Sequence, residues 1–310
     1  MRIGIFAGAR REVVGFNTLV EWASHAERDG FSHFWVPHLP TLGYNALTAL
    51  AIIARQTSRI TLGTAVVPVF AEHPLTLAQH AMTTQAASGG RLHLGIGLSH
   101  QPVVEGVFGL SYASPARYME EYLAVLRPLC SEGRVDFAGQ VFSVKTELYV
   151  QDHSPFPVLL AALAPRMLRL AGAMAEGTVT WMAGRKTIES HIAPRLQAAA
   201  QAAGRPQPRL CVGLPVAVTD DEAQGRAQAA QNFQRYGQLV NYRRLLDIEG
   251  VGGPADVAVV GNEQQVERQL RAFAAAGASD FLAAIFPTGN NHEASLGRTW
   301  DLLKNLNGRL

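Results

Sequence analysis

Ile60-Thr-Leu-Gly-Thr-Ala-Val-Val67, then Thr76 to Ser88, then Leu92-His-Leu-Gly-Ile96 form the stretch that decides the fold. The outer two segments are short apolar runs, the length of a strand and too short for a stable helix. The middle segment is long and returns to an apolar residue every three to four positions, the period of a helix with one buried face. A strand, helix, strand unit joins two parallel strands through a crossover.

The unit recurs on both sides. Towards the N-terminus, Met1 to Phe6 reads as a buried strand. Thr18 to Asp29 reads as a helix with Leu19, Trp22, Ala23 and Ala26 on one face, stopped at Gly30. Phe34-Trp35-Val36 is a second strand, and Asn45 to Gln56 a helix capped by Asn45. Ile60 to Val67 and Leu92 to Ile96 are the third and fourth strands. Towards the C-terminus, Gly97 to Ser114 reads as a long loop, Ala116 to Cys130 as a helix, and Val135 to Val144 as a hairpin turning near Gly139. Val158 to Ala162, Thr178 to Trp181, Leu210 to Val218 and Phe281 to Ile285 are the remaining strands. Helices are expected at Arg166 to Ala175, Thr187 to Ala203, Asp220 to Leu245, Asn262 to Ala276 and Ala294 to Asn305, with a glycine-rich loop from Asp247 to Ala255. Eight strands alternating with helices over 310 residues predict an α/β fold, a (β/α)₈ TIM barrel rather than an open doubly wound sheet. There is no linker, repeat or low-complexity tract, so residues 1–310 read as a single domain.

Hydrophobic residues at 48% and charged residues at 17% supply one ordinary globular core. A net charge of +2 gives no strong field for nucleic acid or an anionic membrane. Cys130 and Cys211 stand far apart, which fits neither a metal ligand set nor a disulfide framework, and a reducing compartment follows. Met1 to Phe6 is too short for a signal peptide, and no run reaches the ~18 apolar residues of a membrane span. The expectation is a cytoplasmic protein.

A barrel carries its active site at the C-terminal ends of its strands. After the first strand, Ala7-Gly8-Ala9 offers no His-x-His, and His33 and His38 flank opposite ends of the second, so no metal site is expected. His38 reads either as a proton donor or ring partner, or as a satisfied polar residue at the barrel mouth. Gly63 and Ala65 permit close approach of a backbone or a flat ring, or simply fill a tapering barrel. Gly95-Ile-Gly97-Leu-Ser99-His100 is not a dinucleotide fingerprint, because His100 stands where the third glycine belongs. Ser99 and His100 nevertheless occupy a site position. After the fifth strand, Ala162-Leu163-Ala164-Pro165-Arg166 opens a helix whose free amides suit a phosphate, or is an ordinary helix start. Trp181-Met-Ala-Gly184-Arg-Lys186 suits a phosphorylated cofactor, or is a solvated basic turn.

The run Arg59-Ile-Thr-Leu-Gly-Thr-Ala-Val66, then His73-Pro74, then Ser88-Gly-Gly-Arg-Leu-His-Leu-Gly-Ile-Gly97 resembles the luciferase-like monooxygenase superfamily, and within it the F420-dependent oxidoreductase branch. Pro157-Val-Leu-Leu-Ala-Ala162, Ala171-Gly-Ala-Met-Ala-Glu-Gly177 and Gly277-Ala-Ser-Asp280 come after it in the same order, so the resemblance spans nearly the whole chain. It implies a non-prolyl cis peptide at Ala65–Val66, in a bulge that backs the central deazaflavin ring. It implies His38 beside the reactive ring, Ala161, Ala162, Leu163 and Ala164 along the cofactor's phosphate side, and Thr180 and Trp181 at the next cofactor-facing strand end. Gly97, Ser99 and Gly184 complete the expected cofactor set, and His38 and His100 are the catalytic candidates, with Glu72 a weaker third. Three departures stand out: Pro37 where relatives carry Asp, His100 where the sugar-phosphate dehydrogenases carry Glu, and Thr41-Leu-Gly-Tyr44 where those enzymes carry Trp. They point away from sugar-phosphate oxidation.

The resemblance therefore implies hydride transfer between coenzyme F420 and a small-molecule substrate, with reduction of an activated C=C or C=N bond favoured. An FMN-dependent monooxygenase is the alternative, and a non-catalytic cofactor-binding barrel the second. The Ala- and Leu-rich helices at 45–56 and 76–88 suit a homodimer or packing on the barrel.

Overall fold

The computed structural model describes residues 1–7 and 14–310; Gly8 and Ala9, at the end of the first strand, lie outside the described residues. The strands in chain order are β1 (Arg2–Phe6), β2 (His33–Val36), β3 (Thr61–Thr64), β4 (Val67–Pro68), β5 (Leu92–Gly97), β6 (Arg134–Ala138), β7 (Ser143–Glu147), β8 (Val158–Leu160), β9 (Gly177–Trp181), β10 (Arg209–Val218), β11 (Val259–Gly261) and β12 (Asp280–Ile285). Eight of them, β1, β2, β3, β5, β8, β9, β10 and β12, pair in parallel, and the β9–β10 pairing closes the ring. This is the (β/α)₈ TIM barrel expected from the sequence. β11 pairs with Val216–Val218 of β10, beyond the point where β9 ends, and β6 and β7 form an antiparallel hairpin outside the ring.

Glycines make room for rings inside the barrel. Gly4 pairs with His33, and a Cβ on Gly4 would lie 1.8 Å from His33 Nδ1. Gly63 pairs with Trp35, and a Cβ there would lie 2.2 Å from the indole. Each ring therefore lies over the bare backbone of its neighbour. Phe6, Trp35, Leu159, Val179, Cys211, Leu282 and Ala284 pack together as a separate inner cluster, the filled interior of a small barrel.

The N-terminal ends of the strands close the other end with a polar layer. Asp280, fully buried, accepts from Arg209 at 3.0 and 3.2 Å and from Ser279 Oγ at 2.8 Å, and pairs with Arg2 at 2.9 Å. Trp35 Nε1 donates to His33 Nδ1 at 2.6 Å, which leaves the His33 proton on Nε2, 3.4 Å from Asp280. Arg209 also donates to His93 Nδ1 at 2.7 Å. Burial alone would raise the Asp280 carboxyl, but His33 and Arg209 hold it far below the usual carboxylate range. Burial lowers His33, and burial together with Arg209 lowers His93 to about 3, so both rings are neutral at pH 7.

Several elements differ from the sequence expectation: β11 was not expected, and the expected loop from Asp247 to Ala255 is bounded by the helices Val240–Glu249 and Pro254–Val257. The expected third strand is interrupted after Thr64 and resumes at Val67–Pro68. The expected loop from Gly97 to Ser114 contains a helix, Gln101–Gly106. The expected long helix from Asp220 to Leu245 is broken: Glu222–Phe233 ends in a 3₁₀ turn, Gln234–Gln238, and a new helix runs Val240–Glu249. Gly237 sits in that turn, and a glycine favours a break within a helical pattern. No described helix is long and apolar enough to cross a membrane.

Candidate active site

The strand ends surround a cavity of about 450 Å³, a usual size for a small-molecule site. Around the ring, β10, β12, β1, β2 and β3 are successive neighbours, so β3 and β10 stand on opposite sides. The segments leaving these two strands make the two walls of the cavity.

The first wall is low and small. The Ala65–Val66 peptide is cis, as the resemblance implied. Thr64 Oγ1 donates to the Gly95 carbonyl at 2.8 Å and accepts from Gly95 N–H at 2.9 Å, fixing the chain just before the bulge. Gly95 and Gly97 leave space behind it. A Cβ on Gly95 would lie 2.1 Å from the Thr64 carbonyl oxygen, and one on Gly97 would lie 2.7 Å from Val66 and 3.1 Å from Ala161. Ala65, Val66 and Ala161 then present their small side chains to the cavity.

The loop after β8 is held from two sides. Thr178 Oγ1 donates to the Leu160 carbonyl at 2.7 Å and accepts from Ala162 N–H at 3.3 Å. His191, in a π-helical turn at Ile188–Ile192, lies 2.8 Å from the Leu163 carbonyl. Ala164 is the N-cap of helix Pro165–Met174 and supplies no side-chain acceptor, so the first amides of that helix stay available to an anion.

His38 and His100 both line the cavity. His38 Nδ1 is buried without a partner among the described residues, and burial lowers the ring below its ordinary value. His100 is lowered by burial and by nearby Arg235, and its ring lies 5.5 Å from that of Tyr242. Both imidazoles are neutral at pH 7. Ser99 also lines the cavity and holds a left-handed backbone, φ 62°, which is costly for a residue with a Cβ.

The structure brings together His38, Ala65, Val66, Ser99, His100, Ala161, Leu163, Thr180 and Trp181 at this cavity. It places four expected residues elsewhere. Gly97 backs the bulge, Ala162 is buried behind the loop, and Ala164 starts the next helix on the exposed side. Gly184 packs against Glu249, whose carboxylate accepts from the amides of Lys186 at 3.0 Å and Thr187 at 2.7 Å. Of the two helix starts expected from the sequence to hold a phosphate, this one is filled by the protein's own carboxylate and the Pro165 start carries no side-chain cap. Glu72 lies off the cavity, beside His80, with its carbonyl accepting from Tyr122.

The second wall was not expected from the sequence. Arg235, Tyr236, Gln238, Leu239 and Tyr242 all reach the cavity from the broken helix after β10. Tyr236 meets Trp181 edge-on at 5.7 Å and Tyr242 at 5.3 Å, and Phe6 meets Trp181 at 5.3 Å. These are favourable edge-to-face geometries. Trp181 Nε1 is buried without a partner among the described residues. The available sequence signal was Gly237, flanked by Tyr236 and Tyr242 in an otherwise polar helix.

The chain is 28% identical over 241 residues to the uncharacterized protein Rv1360 of Mycobacterium tuberculosis, covering 73% of this chain and 70% of that one. It is 31% identical over 230 residues to the F420-dependent hydroxymycolic acid dehydrogenase of the same organism, covering 69% and 63%. Its fold superposes on an F420-dependent secondary alcohol dehydrogenase, solved in complex with an F420-acetone adduct, with a TM-score of 0.79 and 20% identity over 98% and 97% of the two chains. The profile of the luciferase-like monooxygenase family matches residues 1–290. The chain belongs to the luciferase-like monooxygenase family.

Proposed function

We propose that the protein is a coenzyme F420-dependent oxidoreductase acting on a small organic substrate, by reduction of an activated C=C or C=N bond. The carrying observation is the cavity itself: a low wall of Ala65, Val66 and Ala161, with the buried Nδ1 of His38, which has no partner among the described residues, on its lining. A flat ring system needs a low, close wall, and its polar edge needs partners that burial has not already satisfied. Both are present. The open amides at the start of helix Pro165–Met174 suit the cofactor's phosphate. Deazaflavin chemistry supplies the hydride when bound. The F420-dependent hydroxymycolic acid dehydrogenase supports the same cofactor.

The chain's own residues hold, orient and handle the proton. Ala65, Val66 and Ala161 fix one face, and the aromatic wall excludes water from the other. His38 and His100, neutral at pH 7, can accept a proton in the oxidative direction; in the reductive direction the ring first takes up a proton from solvent and then hands it to the substrate. Replacing the relevant histidine with alanine lowers kcat about 10²–10⁴-fold. Full turnover in both His38→Ala and His100→Ala would remove the proton assignment.

Calorimetric titration of the purified protein with F420 and, in parallel, FMN tests the cofactor. Tight F420 binding with weak FMN binding is expected. Preference for FMN makes the protein a monooxygenase of the same barrel, and binding of neither favours a non-catalytic barrel.

A further inference from the structure

Arg235 is the one Lys or Arg side chain lining the cavity among the described residues, and no Asp or Glu lines it with Arg235. Its guanidinium stacks 4.8 Å from the centre of the Tyr236 ring and donates to Tyr236 Oη at 2.9 Å. Among the described residues it makes no ion pair. A guanidinium presents a planar fork of donors, and stacking on an aromatic ring holds that fork in one plane. Such a group, in an aromatic cavity with no counter-charge among the described residues, is built to meet a carboxylate.

Position selects the ligand. Arg235 comes after β10, across the ring from the Ala65–Val66 bulge that leaves β3. The uncapped amides suited to the cofactor's phosphate come after β8. An anion on Arg235 therefore enters from the aromatic side of the cavity, between Tyr236, Tyr242 and His100.

We propose that the substrate is a flat conjugated carboxylate, held by Arg235 through its acid group and by the aromatic wall through its planar body. This rests on the F420 reading for the opposite wall. Arg235 is a substrate-binding residue, and the acid group it holds lies near His100, the proton candidate on that side.

Cinnamate and cinnamamide are suitable probes, matched in shape and differing in charge. Calorimetry on the F420-saturated protein is expected to show cinnamate binding about tenfold or more tighter than cinnamamide. Arg235→Gln is expected to abolish that difference while leaving cinnamamide and F420 affinities unchanged. Equal affinity of the two probes, or no binding of cinnamate, overturns the proposal. So does Arg235→Gln weakening F420 while the tail-free deazaflavin core binds variant and native protein alike, because Arg235 would then serve the cofactor's anionic tail. If F420 itself fails to bind, the cofactor reading falls. The same probe pair on the cofactor-free protein then decides the Arg235 assignment separately.

Discussion

Asp280→Ala is expected to destabilise the protein by about 3–5 kcal/mol, the usual cost of removing one member of a buried charge pair. The carboxylate is fully buried and faces Arg209, Arg2, Ser279 and His33. Without it the Arg209 guanidinium keeps only the His93 ring as its described partner, and its charge stays largely out of water. Asp280→Asn keeps the volume but still loses the charge, so it falls between native and alanine. Urea unfolding monitored by circular dichroism reads the effect. The layer lies at the N-terminal ends of the strands, away from the cavity, so cofactor affinity of the folded variant should stay at the native level. A loss below about 1 kcal/mol would mean that the layer is better solvated than its burial indicates.

Acid should weaken the protein before its carboxylates titrate. His33 is buried and His93 half-buried, with pKa values held below the ordinary imidazole value, His93 at about 3. The unfolded chain takes up their protons near pH 6.5, whereas the folded protein does so only at lower pH. Stability is therefore full above about pH 6.5 and is lost as pH falls towards the folded values. Each of the two contributes a slope of about 1.4 kcal/mol per pH unit while its window is open. His38 and His100 shift the same way, but they are partly open to solvent and contribute less. Asp280, held low in the folded state, contributes stability present above its unfolded value and lost below about pH 3.9. The urea midpoint should be level from pH 8 to 7 and fall steeply from 6 to 4. A level midpoint down to pH 5 would show that His33 and His93 reach solvent and charge freely in the folded protein.

The barrel was legible because each strand and helix carries its own period, and parallel strands of a closed barrel are buried on both faces. Asn45 illustrates the local level: read as a cap, its side chain accepts from Thr48 N–H. The first wall was legible through family motifs, since Ala65, Val66 and Ala161 lie inside the runs that carry the resemblance. What escaped depends on tertiary contacts. Gly184 looked like an open phosphate turn, but a carboxylate from distant Glu249 fills it. The polar helix from Asp220 to Leu245 carries no apolar stripe that would betray its break; at the break Phe233 and Tyr236 both pack on Trp181, a contact that periodicity does not show. Nothing in the sequence links His33 and His93 to Asp280 and Arg209; only the closed ring brings them together.

The two walls of the cavity are written differently in the chain. The low wall is assembled from separate strand ends at Ala65, Ser99 and Ala161, so no single segment can be exchanged without disturbing the barrel. The facing wall draws most of its reach from one contiguous stretch, Arg235 to Tyr242, tied back at its far end by Glu249 to Lys186 and Thr187. Evolution or a protein engineer can therefore replace that stretch as a cassette, altering what is accepted while leaving the opposite face as it is.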